Sequence, residues 1–289
     1  MGTTTKDNII IPEIMTDAVR AGFPGLQLMG GTGAALVQTG MPDGRTQVGN
    51  TVKVPYFTSI GEVETLAADG DALTPANLTE TDEEAVVKHL GKAFGATKWS
   101  RSGASDPYAE GTRQILASVQ RGLDTELINA AKSETDWAAY IYDQSVNGDG
   151  KITYDAIVET VGKFGDETDD LACIVMHSKV YKDLLMIKDS SGRPIWVDLS
   201  GVGGPRLTAL NIPIKISDRL TPVATVYPSM LLRKGALVAW IDDEAYEVLT
   251  DFDILANSYI AAMHMYAVVH RYKRVDAKNK PGVSILKTK

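Results

Sequence analysis

Apolar and polar positions alternate along Thr46–Phe57, where Val48, Val52 and Val54 recur, and a run of comparable length follows at Glu84–Gly95. A period of two predicts strands, with Pro55 expected to end ladder pairing in the first. Between them, Thr58–Glu83 is rich in Asp, Glu, Thr and Ala, and its main large apolar residues are Leu66, Leu73 and Leu78. That is too few for a core. An isolated two-stranded ribbon is marginal in water, so such an acidic tongue makes physical sense mainly when it lies on another subunit. Its expected inter-subunit contacts are Leu66, Asp69, Asp71, Leu73, Leu78, Glu80, Asp82 and Glu83.

The period then changes. Asp106 is a suitable N-cap, Pro107 fits the first helical position, and Ile115, Val119, Leu123 and Leu127 recur every fourth residue. This predicts a helix through Lys132, a rod roughly 40 Å long. Gly111 and Gly122 inside it each cost about 1 kcal/mol relative to Ala, which is easiest to explain where something packs close to the helix. From Lys151 the pattern is mixed. Thr153 caps a predicted helix carrying Ile157, Val161 and Phe164, Leu171–Met176 reads as a buried strand, and Ser178 caps a second helix with Val180, Leu184 and Leu185. After the Gly-rich loop Gly201–Pro205, short strands are predicted at Ile212–Ile216, Thr225–Tyr227, Ala236–Ile241 and Tyr246–Leu249. Ser258–Tyr272 fits neither period cleanly, and its aromatic and β-branched content favours a long strand covered on both faces. A short strand at Val283–Leu286 follows. Residues 1–44, with Gly and short apolar patches and at most one helical turn at Asp17–Ala21, read as an arm draped over other structure.

Composition narrows the function classes. The chain has 289 residues, 44% hydrophobic and 23% charged, as in folded proteins of ordinary core size. No run approaches a membrane span and the first residues lack the apolar core of a signal peptide, so synthesis and retention in a cytoplasm are expected, with no membrane partner. Cys173 is the only cysteine, which leaves no internal disulfide or cysteine metal cluster. A net charge of −8 argues against a basic nucleic-acid groove.

Four local patterns invite a chemical reading, and each has a plainer one. Gly30–Gly33 lacks the Lys-Ser or Lys-Thr and the preceding strand of a phosphate loop. Ser145-Val-Asn147-Gly-Asp149-Gly150 imitates the middle of an EF-hand loop, but Ser145 and Ala156 occupy the positions where the end carboxylates belong, so a turn entering the next helix is expected and calcium is not. Cys173 and His177, four apart on one strand, would stand roughly 13 Å from each other, beyond proton-transfer reach. Asp242-Asp-Glu244 and Asp251-Phe-Asp253 read as solvated turns or as contacts to basic residues of a neighbouring subunit. No catalytic residue, cofactor or metal site is expected.

Taken in order, "GRTQVGNTVKVPYF", the tongue "LAADGDALTPANLTETDEEAVVKHLGKAFGATK", the helix "DPYAEGTRQILASVQRGLDTELINAA", "ITYDAIVETVGKF", "CIVMHSKVYKDLLMIKDSSG", "LNIPIKISDRL" and "NSYIAAMHMYAVVHRYK" resemble the major capsid proteins of tailed double-stranded DNA bacteriophages. That is the Hong Kong 97 phage-type capsid fold, shared with encapsulin shells. The resemblance rests on seven pieces in sequence, covering nearly the whole chain. It implies an α+β fold with an N-terminal arm at 1–44, an extended β-hairpin extension loop at 45–98, a peripheral domain with a long spine helix at 99–149, an axial domain at 150–240, and peripheral strands with a C-terminal return strand at 241–289. It further implies a non-enzymatic, self-assembling structural protein of the virion, made in the bacterial host cytoplasm. Pentamers and hexamers would form an icosahedral phage head enclosing double-stranded DNA without reading its sequence. Scaffolding, portal and decoration proteins are the further partners it implies. A long charged helical segment before the arm, used by some members as a fused scaffold, is not present, so scaffolding is expected to be separate or absent. Some members also cross-link subunits through an extension-loop Lys and a neighbour's Asn. Lys53, Lys88 and Lys92 lie in the loop, with solvated lysines the plainer reading. An encapsulin-like compartment holding protein cargo is the near alternative, and a cytoplasmic enzyme with an unusual lid the distant one.

Overall fold

The computed structural model describes residues 32–40, 50–57, 63, 73, 75, 77, 80–101, 107–133, 140–188, 197–198, 206–207, 212–242, 247–272 and 282–289. The expectations for residues 1–31, Asp106, Gly201–Pro205 and Asp243–Glu244 lie outside them. In chain order the strands are β1 (Ala35–Thr39), β2 (Thr51–Phe57), β3 (Glu80–Thr97), β4 (Ile141–Asp143), β5 (Leu171–Met176), β6 (Val197–Asp198) and β7 (Arg206–Leu207). They continue as β8 (Ile212–Ile216), β9 (Tyr227–Arg233), β10 (Leu237–Ile241), β11 (Glu247–Asp253), β12 (Ser258–Arg271) and β13 (Val283–Thr288). The helices are α1 (Lys98–Arg101), α2 (Pro107–Lys132), α3 (Tyr154–Gly162) and α4 (Ser178–Leu185).

Two sheets share the long helix α2. The first runs β1-β10-β12-β3-β2, with β11 beside the N-terminal half of β12. The second runs β4-β13-β9-β5-β8-β7-β6. The fourfold apolar recurrence that predicts α2 also buries it: Ile115, Val119, Leu123 and Leu127 form one cluster with Met263 and Met265 of β12 and Met230 and Leu232 of β9. One helix face thereby fixes both sheets. Polar groups add to the fixation. Arg271 Nη1 donates to the carbonyls of Ala131 at 3.2 Å and Ser133 at 2.6 Å, placing a cation at the helix's negative end. Asp124, 1% exposed, lies 3.4 Å from Arg219 in the segment after β8.

The second sheet is covered on both faces. Ala172, Cys173 and Val175 face the α2 cluster, while Leu171, Ile174 and Met176 join Ile157 of α3, Phe164 just after it and Leu184 of α4. Strict alternation breaks between Leu171 and Cys173, where the β5–β9 register shifts, so adjacent Ala172 and Cys173 serve the same core. Strand β13 lies inside this sheet, parallel to β4 and antiparallel to β9.

Several local expectations need correction. Pro55 does not end pairing, because β2 is an edge strand and its ladder with β3 continues to Phe57 opposite Glu80. β3 starts at Glu80, so the tongue between strands is shorter than the composition implied. Ala35–Thr39, read as arm, pairs parallel with β10, and Trp240 Nε1 donates to Gln38 Oε1 at 2.7 Å across that pair. The strand expected at Thr225–Tyr227 lies later in the chain: Thr225 is in a turn, and β9 begins at Tyr227 and runs to Arg233. His177, not Ser178, caps α4, its Nδ1 accepting from the Lys179 N–H at 3.0 Å. Thr153 caps α3 as expected, accepting from the Ala156 N–H. β12 is covered on both faces only toward its end. Ala261, Met263, Met265 and Ala267 face α2, whereas Ile260 and Tyr266 on the other face are exposed and Val268 and His270 are buried.

Gly111 has the close neighbour its cost implied. A Cβ there would lie 2.3 Å from the Phe94 ring of β3. Gly111→Ala is therefore expected to cost about 1–3 kcal/mol in denaturant unfolding, through overpacking. Adding Phe94→Leu should recover part of that loss.

Candidate functional site

The β2–β3 ribbon is the most distinctive feature of the surface. Strand β3 changes partner along its length, pairing with β2 over 80–86 and with β12 over 87–97. One side of the ribbon is anchored: Val52, Val54 and Ala85 pack on Val238, Trp240 and Val268. Alternation puts the neighbouring residues on the opposite side, where Phe57 is 62% exposed and Val86 is exposed as well. Lys53 and Asp82 pair across this side at 2.6 Å. The hydrogen bond and charge of Lys53 hold the Asp82 carboxyl below its usual range and raise the lysine in return.

The expected contact residues divide at the root. Leu73, Glu80 and Asp82 are exposed, while Leu66, Asp69, Asp71 and Leu78 lie outside the described residues. Glu83 faces inward. Its Oε2 lies 3.0 Å from His270 Nε2, with both side chains 8% exposed. The Tyr272 ring meets His270 edge-on at 5.4 Å, and burial, followed by the Glu83 charge, raises the Tyr272 hydroxyl above its ordinary pKa. Glu83 is thus covered by its own chain and belongs to the ribbon's anchor. Sequence reasoning missed this pair because its two members lie far apart along the chain. The alternation from Val52 and Val54 across to Ala85 and Glu83 was the available signal.

The other candidates resolve into structural roles. Cys173 is fully buried, and burial pushes its thiol up to about 11, which disfavours the nucleophilic thiolate. Thiol reagents at neutral pH are expected to leave Cys173 unmodified in the folded protein and to label it in denaturant. His177 is occupied in capping α4. In the EF-like segment, Asp143 accepts from both the N–H and hydroxyl of Ser145, and Asp149 accepts from the Lys151 N–H. Gly148 and Gly150 adopt positive φ there, and the Lys289 N–H donates to the Gly150 carbonyl at 2.7 Å, tying the turn to the residue after β13. Gly33, the described part of the glycine run, turns into β1 at φ +78. Lys88 and Lys92 are exposed. A cleft of about 600 Å³ lies at the C-terminal end of α2, lined by Asn129, Lys132, Val223, Pro228 and Lys287, with Asp143 its one carboxylate among the described residues. No group of three or more metal-ligating side chains occurs among the described residues.

A family model for Gp13-like proteins, described as major capsid protein 13-like, matches residues 109–192, the span from α2 through α4. No curated protein matches the chain. Among solved structures, the capsid of Ralstonia phage GP4 superposes with a TM-score of 0.65 at 14% identity, over 91% of this chain and 89% of that one. The capsid of an empty GTA particle gives 0.65 at 15% identity, over 100% and 95%. The holo-SrpI encapsulin complex of Synechococcus elongatus gives 0.57 at 13% identity, over 99% and 91%. The chain has the fold of phage capsid proteins, and its residues 109–192 carry the sequence pattern of Gp13-like major capsid proteins.

Proposed function

We propose that this protein is the major capsid protein of a tailed phage, assembling as pentamers and hexamers into an icosahedral head around double-stranded DNA. The observation that carries the reading is the likeness of fold to a phage capsid over 91% of the chain. In this reading 1–44 is the arm, 45–98 the extension loop, 99–149 the peripheral domain with α2 as spine, 150–240 the axial domain, and 241–289 the remaining peripheral strands with the return strand. The ribbon reaches from its Val52–Trp240 anchor toward a neighbouring subunit and carries Leu66, Asp69, Asp71, Leu73, Leu78, Glu80 and Asp82 to the contact. Glu83 stays behind to hold the root. Many modest overlaps of this kind, acting together, make a shell more stable than any single interface. The net charge of −8 suits a container that encloses DNA without gripping it. Scaffolding, portal and decoration proteins are proposed as partners, and the virion as the location.

The likeness to the SrpI encapsulin supports a second reading, a protein compartment of related architecture. Negative-stain microscopy and sedimentation of the purified protein test both. Closed shells with DNA, when purified from infected or lysogenic cells, fit a phage head, while closed shells holding protein cargo fit the compartment. A small discrete oligomer that never closes would refute both.

A further inference from the structure

The sequence contains four histidines. His177 caps α4 and His270 faces Glu83, but His89 and His264 belong to neither arrangement. They stand on neighbouring strands, on the face of the first sheet turned away from α2. The β3–β12 register sets His89 opposite Tyr266 and His264 opposite Gly91. His89 Nε2 and His264 Nδ1 share a hydrogen bond at 3.1 Å, with donor and acceptor set by the ring tautomers, so a metal ion entering between them would replace that shared proton. The Tyr266 ring stacks on His89 with centroids 4.5 Å apart and planes within 13°, which holds that imidazole in place. Gly91 matters beside it: a Cβ there would sit 3.3 Å from His264 Nδ1, so glycine keeps the space next to the nitrogen clear.

Two imidazole nitrogens bound to one zinc ion at about 2.0–2.1 Å stand roughly 2.9–3.4 Å apart, across angles from right to tetrahedral. The observed 3.1 Å falls within that range. Paired imidazoles suit zinc, copper or nickel and not magnesium or calcium, which take oxygen ligands. We propose that His89 and His264 form a two-histidine binding site for a first-row transition-metal ion, fastening β3 to β12 where the ribbon leaves the sheet. No third His, Cys, Asp or Glu joins the pair among the described residues, so the site as described supplies two nitrogen ligands. Tyr266 is a positioning residue that acts through His89. The proposal does not depend on whether the chain forms shells.

Zinc chloride titrated into the 289-residue protein, followed by calorimetry and thermal unfolding, is the test. The expected result is saturable uptake of one ion per chain and a rise in Tm, since an ion bound only by the folded state stabilises it. His89→Ala and His264→Ala should each abolish both, Tyr266→Phe should retain binding, and magnesium chloride should do nothing. Nitrogen-15 spectra of the wild-type histidine rings, which need no variant to fold, should show zinc moving the His89 and His264 signals first. The absence of saturable uptake, uptake unchanged in both alanine variants, or shifts confined to His177 and His270 would each overturn the proposal.

Discussion

Replacing residues 58–79 with Asn-Gly should leave a folded subunit that no longer closes into shells. Phe57 and Glu80 are directly opposite each other in the β2–β3 ladder, so a short turn of the Asn-Gly kind spans the gap between the two strand ends. The anchor of Val52, Val54 and Ala85 on Val238, Trp240 and Val268 is untouched. Among the described residues, neither of the two larger clusters draws on the deleted stretch. Circular dichroism and the midpoint of urea unfolding should therefore stay close to the parent, while sedimentation and microscopy report monomers or isolated capsomers. Normal-sized shells from the shortened protein would refute the ribbon's proposed role. An unfolded product would mean that the stretch packs within its own subunit.

The second large effect lies in α2. Leu123 is fully buried in the cluster that joins the helix to both sheets, and Asp124 already places one carboxylate beside it. Leu123→Asp would bury a second carboxylate with no cation prepared for it, at a cost of about 4 kcal/mol or more. That approaches the whole stability of many domains. The expected outcome is loss of soluble, cooperatively unfolding protein. Leu123→Met, which nearly conserves volume, should cost less than about 1.5 kcal/mol. Near-normal yield and unfolding midpoint for the aspartate variant would show that this helix face is not the shared core.

What the sequence made legible were elements whose own residues carry a period or a continuous apolar run. α2 was readable because one face is buried along its length, and β5 because every residue in it is. β9 was missed apart from its first residue, Tyr227, because Pro228 and Ser229 interrupt its apolar run, although Ser229 is buried. β1 was not legible as a strand because its partner, β10, lies 202 residues away along the chain. The contact residues show the same limit. Glu80 and Asp82 are exposed while Glu83 is buried, because its inward direction follows from strand alternation and its neighbour, His270, comes from another strand. Composition reports an average environment, and a single residue's side of a sheet is set by register.

The place of β13 has a consequence for the timing of synthesis. This strand, the last in chain order, sits between β4 and β9 and contributes Val283, Ile285 and Leu286 to the two larger cores. Until residues 283–288 have left the ribosome, β9 lacks one neighbour, β4 lacks its partner, and both cores are incomplete. Pairing across such sequence separation also forms late on entropic grounds. A nascent chain therefore cannot complete either core until translation has passed Thr288.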